Sequence, residues 1–244
     1  MFHAILIVSL LALPNMLFTD KTLVDLDQVE KLVEAERLED LLLYFDNILK
    51  QNPDEILALN LQGAVLYEFE RYDEAITSFD KVLEINSNDV LALKNKGKTL
   101  EAFEKYEDAI TYFDKALEVD PNFVQAWNNK GHSLYHLDRF QEALVHFEYA
   151  LSIDPEYIRA INNKGITLAR LGYNDEALTY FDRALSIDPE YVKALNNKGL
   201  TLFDIGKYEQ SLTYFDKALE IEPDNEDVIL NREKSFAVFK VVSQ

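Results

Sequence analysis

Cysteine is absent from this 244-residue chain. That excludes disulfides and thiolate-held metals, and leaves imidazole, carboxylate, hydroxyl and amide groups to carry any site. Glycine and proline are scarce, at seven and six residues, so there is no flexible or proline-rich linker and no low-complexity tract. Positive charge is also in short supply. Against 44 Asp and Glu stand 24 Lys and Arg, a formal charge of −20. A field of that sign repels phosphate backbones and anionic head groups, which argues against nucleic acid as a partner. Apolar residues nevertheless make up 48% of the chain, enough for a sizeable core. The length allows one or two ordinary domains or one repeat array.

Residues 1–18 read MFHAILIVSLLALPNMLF, with no charged side chain before Asp20. The run from Ala4 to Leu13 has the length of a signal-peptide core, although no Lys or Arg precedes it, no small-x-small cleavage site follows, and Pro14 interrupts the longer apolar stretch near its end. Residues 1–20 are therefore expected to act as a signal peptide or membrane anchor, placing the protein in the exported or membrane-anchored pool. The alternative is an apolar helix packed on the rest of the chain, which would leave the protein cytoplasmic. Cleavage and orientation stay open, because the Lys/Arg asymmetry that sets orientation is nearly absent.

What the sequence has in abundance is repetition. YDEAITSFDKVLEINSN from Tyr72 lies over YEDAITYFDKALEVDPN from Tyr106 at an offset of 34, and the phrase returns from Phe140, Asn174 and Tyr208. The other half of the period recurs as ALKNKGKTL, AWNNKGHSL, AINNKGITL and ALNNKGLTL. Gly63, Gly97, Gly131, Gly165 and Gly199 stand on one lattice. Pro53, Pro121, Pro155, Pro189 and Pro223 stand on another, with Ser87 filling the gap. A fixed period of this length marks stacked units, each too small to bury its apolar face alone.

Each period divides into two helical halves. Ala143, Phe147, Ala150 and Leu151 form one apolar stripe at helical spacing, and Trp127, Gly131 and Leu134 form the stripe of the first half. A glycine within a helix costs about 1 kcal/mol against alanine. Its return in every period predicts a close helix–helix approach, with Ala75, Ala109, Ala143, Ala177 and Ser211 as the small partners on the second helix. Proline is expected to end the second helix and to open the next one. Short spacers such as Leu137–Asp138–Arg139 make neighbouring helices antiparallel.

The pattern W-x-x-x-G-x-x-L, then A-x-x-x-F-x-x-A, then P is complete in Trp127, Gly131, Leu134, Ala143, Phe147, Ala150 and Pro155. Over about residues 22–240 the chain resembles the tetratricopeptide repeat family. The resemblance implies an all-α fold, a right-handed superhelical solenoid of tandem antiparallel helix pairs. It divides the chain into a degenerate first repeat at 22–55, where Val29 replaces the glycine, and five repeats at 56–89, 90–123, 124–157, 158–191 and 192–225. A capping helix follows at 226–240. Lys96, Lys130, Lys164 and Lys198 stand before the glycine, where family members carry an apolar residue. Their stems are expected along the helix interface, with the ammonium groups in water. Asn174 stands where other repeats have Tyr or Phe, and Tyr173 is expected to substitute for it.

No set of titratable groups converges on catalysis. Asp80, Asp114, Glu148, Asp182 and Asp216 recur with the period and read as a solvated face. No phosphate-cradling loop, serine nucleophile arrangement or cofactor motif is present, so the chain is expected to be no enzyme and to need no cofactor. The one non-periodic cluster is His132 and His136, four apart on one helix, with His146 on the next. Such a pair can chelate a divalent metal, but the H-E-x-x-H signature is missing. His132 and His136 are read as groove-lining residues that form, with Tyr135, a recognition patch.

In the family that this chain resembles, the first helix of each repeat lines the inner surface. That orientation turns Gln125, Asn128, Asn129, His132, Tyr135 and His136 inward. Down the array it presents Asn95, Asn129, Asn163, Asn197 and Asn231, one per repeat. An amide can bond a peptide's C=O and N–H without reading its side chains. The arrangement is similar to the asparagine ladder by which some family members hold an extended peptide. The other reading is that each asparagine bonds the neighbouring repeat and stiffens the stack. Around the ladder Lys94, Lys98, Arg170 and Phe203 change from repeat to repeat and would set specificity. These features imply a non-catalytic scaffold that holds an extended peptide or protein segment in a concave groove. The alternative is a structural or self-assembly module of the cell envelope. The expected partner is a protein or peptide and not nucleic acid, with membrane attachment through residues 1–18 and self-association as further options.

Overall fold

The computed structural model describes residues 23–35 and 37–242. The apolar run at 1–18, and with it the expected signal or anchor, lies outside the described residues. Among those described, no helix is long and apolar enough to cross a membrane. The described residues form thirteen α-helices and no strand. They are α1 (Leu26–Glu34), α2 (Leu38–Gln51), α3 (Ile56–Glu68), α4 (Tyr72–Ile85), α5 (Val90–Ala102), α6 (Tyr106–Val119) and α7 (Val124–His136). After them come α8 (Phe140–Ile153), α9 (Ile158–Arg170), α10 (Asn174–Ile187), α11 (Val192–Asp204), α12 (Tyr208–Ile221) and α13 (Glu226–Val242).

Two kinds of turn alternate, each set by local chemistry. After the first helix of each full repeat one residue enters the left-handed region: Glu70, Glu104 and Asp138 at φ 57–58°, then Gly172 and Gly206 at 83° and 78°. The N–H that follows reaches back to a carbonyl of the last helical turn, as Arg71 to Leu66 and Lys207 to Leu202, both at 2.9 Å. This is the hydrogen bond that closes a helix on a left-handed residue. After the second helix Asp120, Asp154 and Asp188 turn the chain, each accepting through Oδ1 the N–H two residues on, at 2.9–3.0 Å. Pro121, Pro155 and Pro189 lie between, where no N–H is required. The next helices begin three residues later, at Val124, Ile158 and Val192. Proline therefore ends a helix here and does not open one.

The repeating glycine makes room for a ring. A Cβ added at Gly63, Gly97, Gly131, Gly165 or Gly199 would lie 2.6 Å from Cε1 of Phe79, Phe113, Phe147, Phe181 or Phe215 respectively. All five phenyl groups are buried. The expected partners Ala75, Ala109, Ala143, Ala177 and Ser211 are buried too, but the glycine is needed because of phenylalanine. Ser211 has its own explanation, since its hydroxyl pairs with that of Ser235 on α13 at 2.9 Å. Tyr173 is 55% exposed, so it does not take over the inward role that Asn174 leaves vacant.

The described residues form two compact units that divide between Ala126 and Trp127. In the first, Val29, Leu32, Leu41, Phe45, Ala58 and Leu61 belong to one cluster, with Val29 filling its repeat where the others have glycine. In the second, Val228 of α13 joins Val192, Leu195, Phe215 and Ala218.

Lys96, Lys164 and Lys198, which precede the glycine, do not reach open water. They are 9–12% exposed at the side chain and pair with Asp80, Glu148 and Asp182 of the preceding repeat. Each ammonium also stands 4.2–4.6 Å over the ring of Tyr112, Tyr180 or Tyr214 in its own repeat. Burial pulls the lysine pKa down, but the carboxylate and tyrosine facing it more than restore it, so the net direction is up. In α13 Arg232 stands in the same register and pairs with Asp216. Asp80, Glu148, Asp182 and Asp216 are thus inter-repeat ties as well as part of a solvated face.

Candidate functional site

The asparagine face is built by the doublet that precedes Lys-Gly. In the second unit Asn163 Nδ2 donates to Asn128 Oδ1 at 3.0 Å, Asn197 to Asn162 at 3.1 Å and Asn231 to Asn196 at 3.0 Å. The second asparagine of one repeat thereby bonds the first asparagine of the repeat before it. Asn128 in turn donates to Asn129 Oδ1 at 3.2 Å. These bonds are the stack-stiffening role, and each donor amide keeps its carbonyl oxygen and a second N–H for other partners. Asn128 is 5% exposed, so it is not an open groove amide. The acceptors Asn162 and Asn196 escaped the sequence reading, which followed one asparagine per repeat. The spacing of 35 from the first member of one doublet to the second of the next carries the signal.

In the first unit the matching rung is not made. Asn60 and Asn95 are 4% and 7% exposed, yet Asn60 Oδ1 and Asn95 Nδ2 have no hydrogen-bond partner. Asn60 instead turns its Nδ2 to Asp89 Oδ1 at 3.4 Å, an oxygen that also caps α5 by accepting Ala92 N–H at 2.9 Å. Asn95 is therefore buried in the stack and does not face a groove. Lys98 holds its ammonium 4.5 Å above the ring of Tyr67. Burial, then the charges of Tyr72, Glu68 and Glu101, push the Tyr67 hydroxyl up to about 12. Lys94 is half-buried on the same helix.

The patch expected to serve recognition in the second unit lies along a cleft between α7 and α9. His132 and Tyr135 form one wall, Asn163 and Ile166 the other, with Phe147 among its lining. Tyr135 packs on Phe140 at 5.4 Å between ring centroids, and the Arg170 guanidinium lies 5.9 Å over the same Phe140 ring. Burial raises the Tyr135 pKa, against the pull of the Arg170 charge and with the push of Asp138. His136 is exposed beside the cleft. His146 is elsewhere, stacked on Trp127 at 5.5 Å, with Tyr149 on the same indole at 4.8 Å. Phe203 packs on Tyr208 at 5.4 Å, under the ammonium of Lys234.

Comparison with known proteins agrees with this architecture. Models of the tetratricopeptide repeat match residues 54–122, 124–157, 158–191 and 192–225. Among solved structures the chain is similar to YrrB, a tetratricopeptide repeat protein with an unusual peptide-binding site. Their identity is 25%, over 78% of this chain and 97% of that one, with a TM-score of 0.55. It is similar to MamA at 27% identity, over 66% of this chain and 94% of that one, with a TM-score of 0.56. In fold it matches a thermophilic tetratricopeptide repeat protein of Thermus thermophilus at 21% identity, over 75% and 99% of the two chains, with a TM-score of 0.68. No curated protein matches the sequence. With its paired helices, its glycine–phenylalanine seam and the matched repeats in one register, the chain belongs to the tetratricopeptide repeat family.

Proposed function

We propose that this protein is a non-catalytic interaction scaffold that holds an extended peptide or protein segment along its first helices. One observation carries the reading: the cleft between α7 and α9 combines a recurring base with walls that change. Phe147 and Asn163 recur in every full repeat or nearly so, whereas His132 and Ile166 stand in register with Lys98 and Leu200, and Tyr135 with Glu101 and Phe203. A surface that is uniform beneath and variable above separates stability from specificity, as partner choice requires. The peptide-binding site of YrrB supports a peptide as the ligand class. On this reading Asn129, Asn163, Asn197 and Asn231 offer a ligand backbone the hydrogen-bonding capacity that the stack leaves over. Lys94, Lys98, Arg170 and Phe203 select its side chains. Peptides selected from a random library on the full chain, then re-measured on Ile166→Asp, test the idea. The variant is expected to lose roughly 30-fold in affinity, the 2 kcal/mol scale of a central interface residue, without a lower melting temperature. Peptides that bind both proteins equally would rule the cleft out.

A further inference from the structure

His132 and His136 stand one turn apart on α7, and the structure turns their rings together. Their Nε2 atoms are 3.3 Å apart, with ring centroids at 4.6 Å and planes at 69°. That separation is the bite of a tetrahedral metal, because two Zn–N bonds of about 2.0–2.1 Å at the tetrahedral angle span about 3.3 Å. Tyr135 meets the His136 ring edge-on at 5.6 Å, which limits how that ring can turn. Imidazole nitrogen suits zinc and the late first-row ions better than magnesium or calcium.

The geometry points to a two-histidine site for a late first-row divalent cation, zinc above all, held by Nε2 of His132 and Nε2 of His136. Each ring binds as neutral imidazole with its proton on Nδ1. Among the described residues no group of three His, Asp or Glu side chains converges, so those residues supply two ligands and the remaining positions are filled by other groups. In the isolated protein water fills them. His132 also lines the cleft described above, so a carboxylate or imidazole of a bound partner can reach the same cation. The site stands on α7 alone and does not depend on the peptide-scaffold reading.

The test is a calorimetric titration of Zn²⁺ into the full chain freed of metal, with circular dichroism to confirm that each variant stays helical. One equivalent is expected to bind. His132→Asn and His136→Asn should each weaken binding by at least the roughly 10- to 100-fold that loss of a mere outer-shell partner costs. His3→Asn and His146→Asn, which remove the other two histidines, should leave binding unchanged. Cobalt(II) supplies a second readout, since its visible absorption reports nitrogen ligation and should change in the His136→Asn variant. Failure to take up zinc, or uptake that survives removal of either paired histidine, would overturn the assignment.

Discussion

A single missing methyl group sets the spacing of each helix pair. At Gly165 the absent Cβ leaves the place that the edge of Phe181 approaches, and Phe181 is fully buried and cannot swing aside. Two effects oppose each other when alanine is introduced. Helix propensity favours it by about 1 kcal/mol, while forcing volume into a packed core costs typically about 1–3 kcal/mol. Because the clash is with a ring held on all sides, the packing term is expected to win. Gly165→Ala should lower stability by up to about 2 kcal/mol in urea denaturation, the balance of those two terms. A more stable variant would mean that the ring yields. The asparagine doublet teaches a related lesson: amides that look ideal for a ligand also serve their neighbours. Removing Asn163 leaves Asn128 Oδ1 buried without its donor, so Asn163→Ala should destabilise the stack as well as alter any groove.

Helices are tied to one another by lysines that the pattern alone would place in solvent. Lys198 lies between α10 and α12, bonded to Asp182 on one side and to the Tyr214 hydroxyl at 2.7 Å on the other. The stem is buried, but the carboxylate is 61% exposed, and that asymmetry fixes the expected magnitude. Removing one partner of a fully buried ion pair costs about 3–5 kcal/mol, because the other charge is stranded. Asp182 can return to water, so Lys198→Met, which keeps the apolar stem, should cost only about 0.5–1.5 kcal/mol. Thermal unfolding of the purified variant checks this. A loss above about 3 kcal/mol would show that Asp182 is desolvated in solution.

For the molecule as a whole these ties make an alkaline limit. The folded-state pKa values of Lys96, Lys164 and Lys198 are raised above 10.5, and that of Tyr67 is raised from 10.0 to about 12. In each case the folded chain keeps a proton that the unfolded chain gives up first. By linkage the contribution is complete below the unfolded-state pKa and is lost as pH rises through the folded one. Melting temperature should therefore decline from pH 10 towards pH 12, and Tyr67→Phe should remove part of that decline. Melting temperatures that rose across this window would contradict the sign. No comparable argument arises from the exposed pairs Arg71–Glu74 and Arg139–Glu142, which solvent screens.

The period, the helix pairs and the family could be read from the sequence because they rest on local rules. Apolar spacing, a proline where no N–H is needed and a glycine recurring in register each act within a few residues of chain. The histidine pair was legible for the same reason, since four residues along a helix put two side chains on one face. What only the tertiary structure decided is which atoms meet across repeats. Phe181 rather than Ala177 opposes Gly165, Asn162 accepts from Asn197 across the repeat boundary, and Asp182 rather than water faces Lys198. Those choices depend on the angle at which one helix lies on the next. That angle is settled by the packing of rings and aliphatic chains distant in sequence, which no local pattern encodes.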